Sequence, residues 1–279
     1  FLVVPDPSAA KAGLQQGALD LAQITFADYQ ELQNNANVEL SIPGEATKHS
    51  LLLQTRDPVL SNQKLRQAIA AALDIEQIVL AASEGIVNNI NQSAVNEYSA
   101  FYNDIQKEKH HYNPERAQQL LQESGYKGEP ITIYANKRAH VPSYQVAIMT
   151  QAMLQAVGIN AQIEVLEWAT QLDRYNKGNY QISSFSYSSR LDPSLSYEQF
   201  SGDKDQQSRK VWESPEALKL IEESMYEHDP VKRQAIFDQL HTMLLDEVPL
   251  IILFNGYAAW GKTKGLDNVT VWEGKPLLW

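Results

Sequence analysis

The segment GYAAWGKT, Gly256 to Thr263, fits the phosphate-loop pattern G-x-x-x-x-G-K-[ST] at every position. That pattern holds a nucleotide only where a strand feeds a glycine-rich turn that opens a helix, because the phosphates sit on the free N–H groups of the first helical turn. Upstream, VPLIILFN has the branched apolar character of a short buried strand. Downstream, KGLDNVTVWEG places Gly265 two residues after Thr263 and then alternates Val269 and Val271 with polar neighbours, which is turn and strand chemistry. Tyr257 and Trp260 are bulky for a loop wrapped around phosphate. Two strand segments joined by a tight turn are therefore expected in place of a nucleotide site.

Other catalytic signatures are missing from the sequence: there is no H-E-x-x-H, no G-x-S-x-G, and no G-x-G-x-x-G after a strand. His110 and His111, joined by His140, have ligand-type side chains but not ligand spacing. Adjacent histidines just before a capped helix are expected to be solvated, so no metal and no cofactor is assigned. More promising are polar residues beyond expected strands, where α/β sheets place ligands. Arg138, in KRAHVPSY after PITIYAN, offers two-pronged geometry for a carboxylate, against the plainer reading of a surface arginine. SSRLDPSLSY, after YQISSFSY, carries Arg190, Asp192 and Tyr197, with Tyr187 just before it. Asp192 can hold a ligand ammonium or cap the short helix that Pro193 begins. Asn255, closing VPLIILFN, lines a cleft or caps a strand. Trp168 and Trp212 are expected as core anchors more than as pocket walls.

The elements that would position these residues are legible from periodicity and caps. A short helix from Ser8 closes at Gly17 and leads to a brief strand; VELSI and KHSLLLQT read as further strands. NQKLRQAIAAAL puts Leu65, Ile69, Ala72 and Leu73 on one helical face, and Asp74 with Gln77 caps a second helix that ends at Gly85. Asn113, Pro114 and Gly125 bracket another helix. Then come PITIYAN, an amphipathic helix through Val146, Met149, Met153, Ala156 and Val157, the alternating strand INAQIEVLEW, a helix around Trp168, Leu172 and Tyr175, and YQISSFSY. Ser214-Pro215 and Asp229-Pro230 open two last helices. Strands alternating with helices imply an α/β sandwich with a largely parallel sheet.

The chain's 279 residues, 43% hydrophobic, can bury a substantial core in one large domain or two. With 34 acidic against 23 basic residues its formal charge is -11, which argues against nucleic acid or an anionic membrane surface as the main partner. No apolar run approaches the roughly 18 residues that would cross a bilayer. Without cysteine there are no disulfides and no thiolate chemistry. The opening FLVVPDPS has neither an initiator Met nor the charged start of a signal segment, so a processed or excised chain is expected.

Several phrases, in this order, resemble the family 5 extracellular solute-binding proteins, the dipeptide, oligopeptide and nickel receptors of ABC importers: PDPSAAKAGLQQGALDLA, LSNQKLRQAIAAALDIEQIV, YNPERAQQLLQESGY, TQAMLQAVGINAQIEVLEWATQLDRYNKGNYQISSFSY and DPVKRQAIFDQLHTMLLDEVPLIILF. The resemblance implies a type II periplasmic-binding-protein-like α/β fold: mainly the second lobe, over 48–254, with residues 1–47 and 255–279 as segments of the first. The family is usually longer, so the chain resembles a carboxyl portion. The implied function is binding of a short peptide or peptide-like solute in an interlobe cleft, with a membrane permease as partner. No catalysis is implied; the expected state is monomeric, and the expected place is periplasmic or extracytoplasmic, with membrane association through a preceding part. Peptide receptors of the family set an aspartate on the ligand's amino group in a segment resembling G-W-x(n)-D-P-D. Here Ser186 and Tyr187 replace Gly-Trp, Asp192-Pro193 stand, and Ser194 replaces the second Asp. Arg138 takes the place expected for a carboxylate partner, without a motif to anchor it. Alternatives are a solute-sensing module of a regulator and the phosphate-loop enzyme considered above.

Overall fold

The computed structural model describes residues 2–87, 90–273 and 275–278. In chain order the elements are α1 (Pro7–Gln15), β1 (Leu21–Ile24), α2 (Phe26–Leu32), β2 (Val38–Ser41), β3 (Gly44–Leu53), α3 (Gln63–Ala72), α4 (Ile75–Ala82), α5 (Pro114–Ser124), β4 (Ile131–Ala135) and α6 (Ser143–Ala156). There follow β5 (Ala161–Val165), α7 (Trp168–Asn176), β6 (Ile182–Tyr187), α8 (Pro193–Phe200), α9 (Pro215–Tyr226), α10 (Pro230–Glu247), β7 (Leu250–Tyr257), β8 (Ala259–Thr263), β9 (Val269–Trp272) and β10 (Lys275–Leu278). Prolines open five of the helices. Before four of them, Asp6, Asn113, Asp192 and Asp229 accept hydrogen bonds from N–H groups of the first turn, as their types predict. Gly125 closes α5 at φ 72°, a conformation that costs a residue with a Cβ.

The main sheet has the order β5-β4-β6-β3-β7. β4 pairs in parallel with β5 and β6, whereas β3 runs antiparallel to both β6 and β7. Four strands therefore point one way, and the largely parallel sheet expected from the sequence has one reversed strand at its interior. The reason is connectivity: β3 enters from a second sheet, β1-β8-β2, which lies beyond the carboxyl edge of the first and into which β7 also continues. The sequence boundaries expected at 47/48 and 254/255 fall inside β3 and β7.

Helices cover both faces of the main sheet, and strand alternation divides the core accordingly. Leu51, Leu53, Ile251 and Leu253 pack with Ile69, Ile78, Val146 and Leu154 of α3, α4 and α6. Their neighbours Leu52, Leu250 and Ile252 pack on the other side with Phe200, Ile221, Phe237 and Leu240 of α8 to α10. A smaller core of Leu14, Ile24, Leu32, Val38 and Ala259 serves the second sheet.

The phosphate-loop letters belong to β7 and β8, with no helix after them among the described residues. Both glycines are explained by packing. A Cβ on Gly256 would collide with Thr47 Oγ1, and one on Gly261 would lie 2.9 Å from Leu14 Cδ1. Lys262 pairs with Glu39 at 2.8 Å and donates to the Leu266 carbonyl at 2.7 Å. α2 was not foreseen. Its signal was Thr25, whose Oγ1 accepts from Asp28 N at 3.1 Å and donates to Asp28 Oδ2 at 2.7 Å.

Candidate ligand cleft

Past the carboxyl end of β4 the chain is held by a buried polar network. Asn136 Nδ2 donates to Gln171 Oε1 at 2.7 Å, and Gln171 Nε2 donates to the Ser184 carbonyl at 2.9 Å. Ser143 Oγ donates to that same carbonyl at 3.0 Å. With every partner buried, the network fixes where the following loop begins. Asn136 Oδ1 then accepts from Arg138 Nε at 3.1 Å, and the guanidinium lies 3.7 Å from the centre of the Trp168 ring. Arg138 is thus aimed by one hydrogen bond and one stacking contact. Neither of its terminal nitrogens has a hydrogen bond or ion pair among the described residues. Burial acts on Arg138 to lower its pKa.

This loop forms one side of a cleft of about 280 Å³. The opposite side is Gln23–Phe26, where β1 meets α2, together with the β7–β8 junction; Ala82–Glu84 at the end of α4 and His49 on β3 complete it. The cleft therefore lies between the two sheets, at the carboxyl edge of the larger one. His49 stacks on Phe254 with ring centres 4.6 Å apart, and its Nδ1 is 2.7 Å from Ser186 Oγ. Burial pushes its pKa down to about 4, so the ring is neutral at pH 7. Lys137 sits over the Tyr144 ring at 4.3 Å. His140, at φ 61°, also lines the cleft, and burial lowers its pKa.

The loop after β6 is differently committed. Asp192 caps α8, its Oδ1 accepting from Ser194 N at 2.8 Å. Arg233 Nη2 also donates to both Asp192 oxygens, at 2.7 and 2.8 Å. Arg233 is fixed in turn by the Ser224 carbonyl at 2.9 Å from Nε and by the rings of Phe101 and Phe237. Burial would raise the Asp192 pKa, but the bonds from Arg233 and from Ser194 prevail and lower it. Arg190 donates to the Ser189 carbonyl at 2.8 Å, and Ser189 Oγ to Glu273 at 2.5 Å. Near them lies buried Lys48, whose Nζ has only neutral oxygens as hydrogen-bond partners: Ser196 Oγ at 3.2 Å and the Ala46 carbonyl at 3.3 Å. Its pKa is pushed down to about 8 by burial, with Glu273 opposing and Arg190 assisting.

The remaining expected site residues are internal. Tyr187 is buried against Phe185 and Tyr175. Tyr197 lies fully buried in α8, stacked on Phe237. Asn255 sits inside β7, not at its end, donating to the Thr47 carbonyl at 3.1 Å and accepting from Asn91 at 2.7 Å. Trp212 is a core anchor as expected, but Trp168 is only half-buried and forms the platform beneath Arg138. His110 packs near His241 and is pushed down to about pKa 4 by burial. Among the described residues no cluster of three metal-ligating side chains occurs. Sequence reasoning missed Lys137, His49, Phe254 and Glu84 as cleft residues. Only Lys137, next to Arg138, carried a signal of its own.

Residues 1–208 match the family described as bacterial extracellular solute-binding proteins, family 5 Middle. The oligopeptide-binding protein AppA of Bacillus subtilis is 24% identical over 91% of this chain and 50% of its own length. The dipeptide-binding protein of Escherichia coli is 26% identical over 91% of this chain and 49% of its own length. The chain thus spans about half the length of these curated relatives. Among solved structures, a dipeptide-binding protein from a Pseudoalteromonas species in complex with Met-Leu superposes with a TM-score of 0.83 at 22% identity, over 97% of this chain and 55% of that one. A putative peptide-binding protein AppA from Clostridium difficile gives a TM-score of 0.84 at 19% identity, over 97% and 56%.

Proposed function

The chain belongs to the family 5 bacterial extracellular solute-binding proteins, and from that premise we propose that it is a solute-binding part of an ABC-importer receptor for short peptides or peptide-like acids. The observation that carries the reading is Arg138: a guanidinium oriented on Trp168, with both terminal nitrogens uncommitted among the described residues, beside a cleft between two sheets. A carboxylate entering the cleft would gain two charge-assisted hydrogen bonds without first displacing an internal acid. The family's receptors are transport proteins, not enzymes, and recognition here needs only hydrogen bonds, charge pairs and closure around the solute. Work outside the cytoplasm with a membrane permease as partner follows from the same reading. No helix among the described residues is long and apolar enough to cross a membrane.

Isothermal titration with a library of di- to pentapeptides tests the proposal. Saturable heat with one or more members is expected, weakened at least tenfold in Arg138→Met. Silence across the library would reject the peptide assignment.

A further inference from the structure

Adjacent strands of the main sheet set a row of side chains at the wall of the cleft. His49 of β3 lies directly opposite Ser186 of β6 on one side and Phe254 of β7 on the other. Cross-strand neighbours on one face of a sheet touch, and here both grip the same imidazole. Phe254 stacks on the ring with centres 4.6 Å apart, and Ser186 Oγ holds Nδ1 at 2.7 Å. Tilt and rotation of the ring are therefore both set before a solute arrives. Ser186 is one of the two positions at which the chain departs from the G-W pair of the segment it resembles, so this hydroxyl grip is the chain's own. The second ring nitrogen is left to the cleft, which His49 and Phe254 line. Nε2 has no hydrogen bond among the described residues, yet it is not sealed from solvent as the partnerless Nδ1 of His241 is. A fixed ring presenting one polar atom to a ligand-sized cavity has the form of a recognition group.

Its chemistry is that of a neutral group. The imidazole is uncharged at pH 7, so one ring nitrogen is a donor and the other an acceptor. A serine hydroxyl answers either. When Ser186 donates to Nδ1, Nε2 carries the hydrogen and offers a donor; when Ser186 accepts from Nδ1, Nε2 offers a lone pair. Passing between these states moves a proton from one ring nitrogen to the other through water and leaves the net charge unchanged. Resting on the receptor reading above, we infer that His49 is a specificity-determining residue of this cleft, whose Nε2 takes an uncharged hydrogen-bonding group of the solute, a peptide carbonyl or N–H, with Ser186 adjusting to whichever is present.

The test titrates each di- to pentapeptide that binds the wild-type protein against two variants. His49→Phe keeps a ring to stack on Phe254 and removes the polar edge, whereas His49→Gln returns an amide that both donates and accepts. Affinity is expected to fall about fivefold in His49→Phe, the scale of one neutral hydrogen bond, and to recover to within about twofold of wild type in His49→Gln. Imidazole nitrogen NMR on the wild-type protein supplies a readout that needs no variant to fold: the His49 Nε2 resonance is expected to move as the same peptide is added, while Nδ1 stays bonded to Ser186. Unchanged affinity in His49→Phe, loss without recovery in His49→Gln, or an Nε2 resonance unmoved at saturation would overturn the inference and leave the receptor reading standing. Failure of every peptide to bind the wild-type protein would overturn both.

Discussion

Arg138 and Asp192 occupy corresponding places: each lies in the loop that follows a strand of the same sheet, β4 in one case and β6 in the other. Their surroundings are opposite. Arg138 is steered by Asn136 and Trp168 yet its terminal nitrogens have no partner among the described residues, whereas Asp192 spends its carboxylate on a helix cap and on Arg233. A polar residue at the carboxyl edge of a sheet is therefore a candidate for ligand binding only while its own chain has not already satisfied it. The contrast separates two kinds of effect, one on stability and one on affinity.

Removing Arg233 is the harshest way to break the contrast. Arg233→Met leaves Asp192 without its counter-ion and removes the donor to the Ser224 carbonyl. A fully buried pair would cost about 3–5 kcal/mol, and because Asp192 is partly solvated a loss of about 2 kcal/mol is expected. Urea unfolding measures it; an unchanged midpoint would place Asp192 among the uncommitted groups. Arg138→Met should do the reverse, leaving stability within about 1 kcal/mol of wild type, the scale of one cation–π contact, while weakening a carboxylate ligand at least tenfold, since even one of the two charge-assisted hydrogen bonds is on that scale. Parallel denaturation and titration of that variant give both numbers.

Acid distinguishes the corners by order. The His49 pKa is about 4 in the folded protein because of burial, below its ordinary value of 6.5. The unfolded chain therefore binds the extra proton first, and the stability His49 contributes is complete above about pH 6.5 and declines as pH falls from there toward 4. Asp192 has its pKa lowered, so its contribution holds above the unfolded carboxylate value of about 3.9 and is lost only below it. Thermal melts in steps from pH 7 to pH 3 should show the first loss well above pH 4, a phase His49 shares with the other histidines that burial holds below their ordinary pKa, His110, His140 and His241, and His49→Gln should reduce it by one histidine's part. Lys262→Ala, remote from both corners, is the mildest change. It breaks a partly exposed pair with Glu39 and should leave peptide affinity at the wild-type value in the same titration.

Much of the fold was legible because its signals are local. Asn113, Pro114 and Gly125 delimit α5 by cap chemistry, and the alternation around PITIYAN and YQISSFSY gives the strands that carry both corners. The reversal of β3 was not legible, since nothing in GEATKHSLLL encodes direction. It depends on where the second sheet lies, a long-range property. At the site, Arg138 could be nominated from its type and its place after a strand, but not its freedom, which depends on what the folded chain sets beside it. Asp192 could be nominated for two roles. Deciding between them required Arg233, 41 residues further on. Its nearest sequence signal, DPVKRQ, reads only as the start of a helix.

The most direct measurement is a crystal structure of the protein with a bound peptide. The peptide's carboxylate is expected within hydrogen-bond reach of the Arg138 terminal nitrogens, over Trp168, with the Asp192–Arg233 pair intact. A peptide ammonium seated on Asp192 with Arg233 displaced, and Arg138 facing solvent, would contradict it.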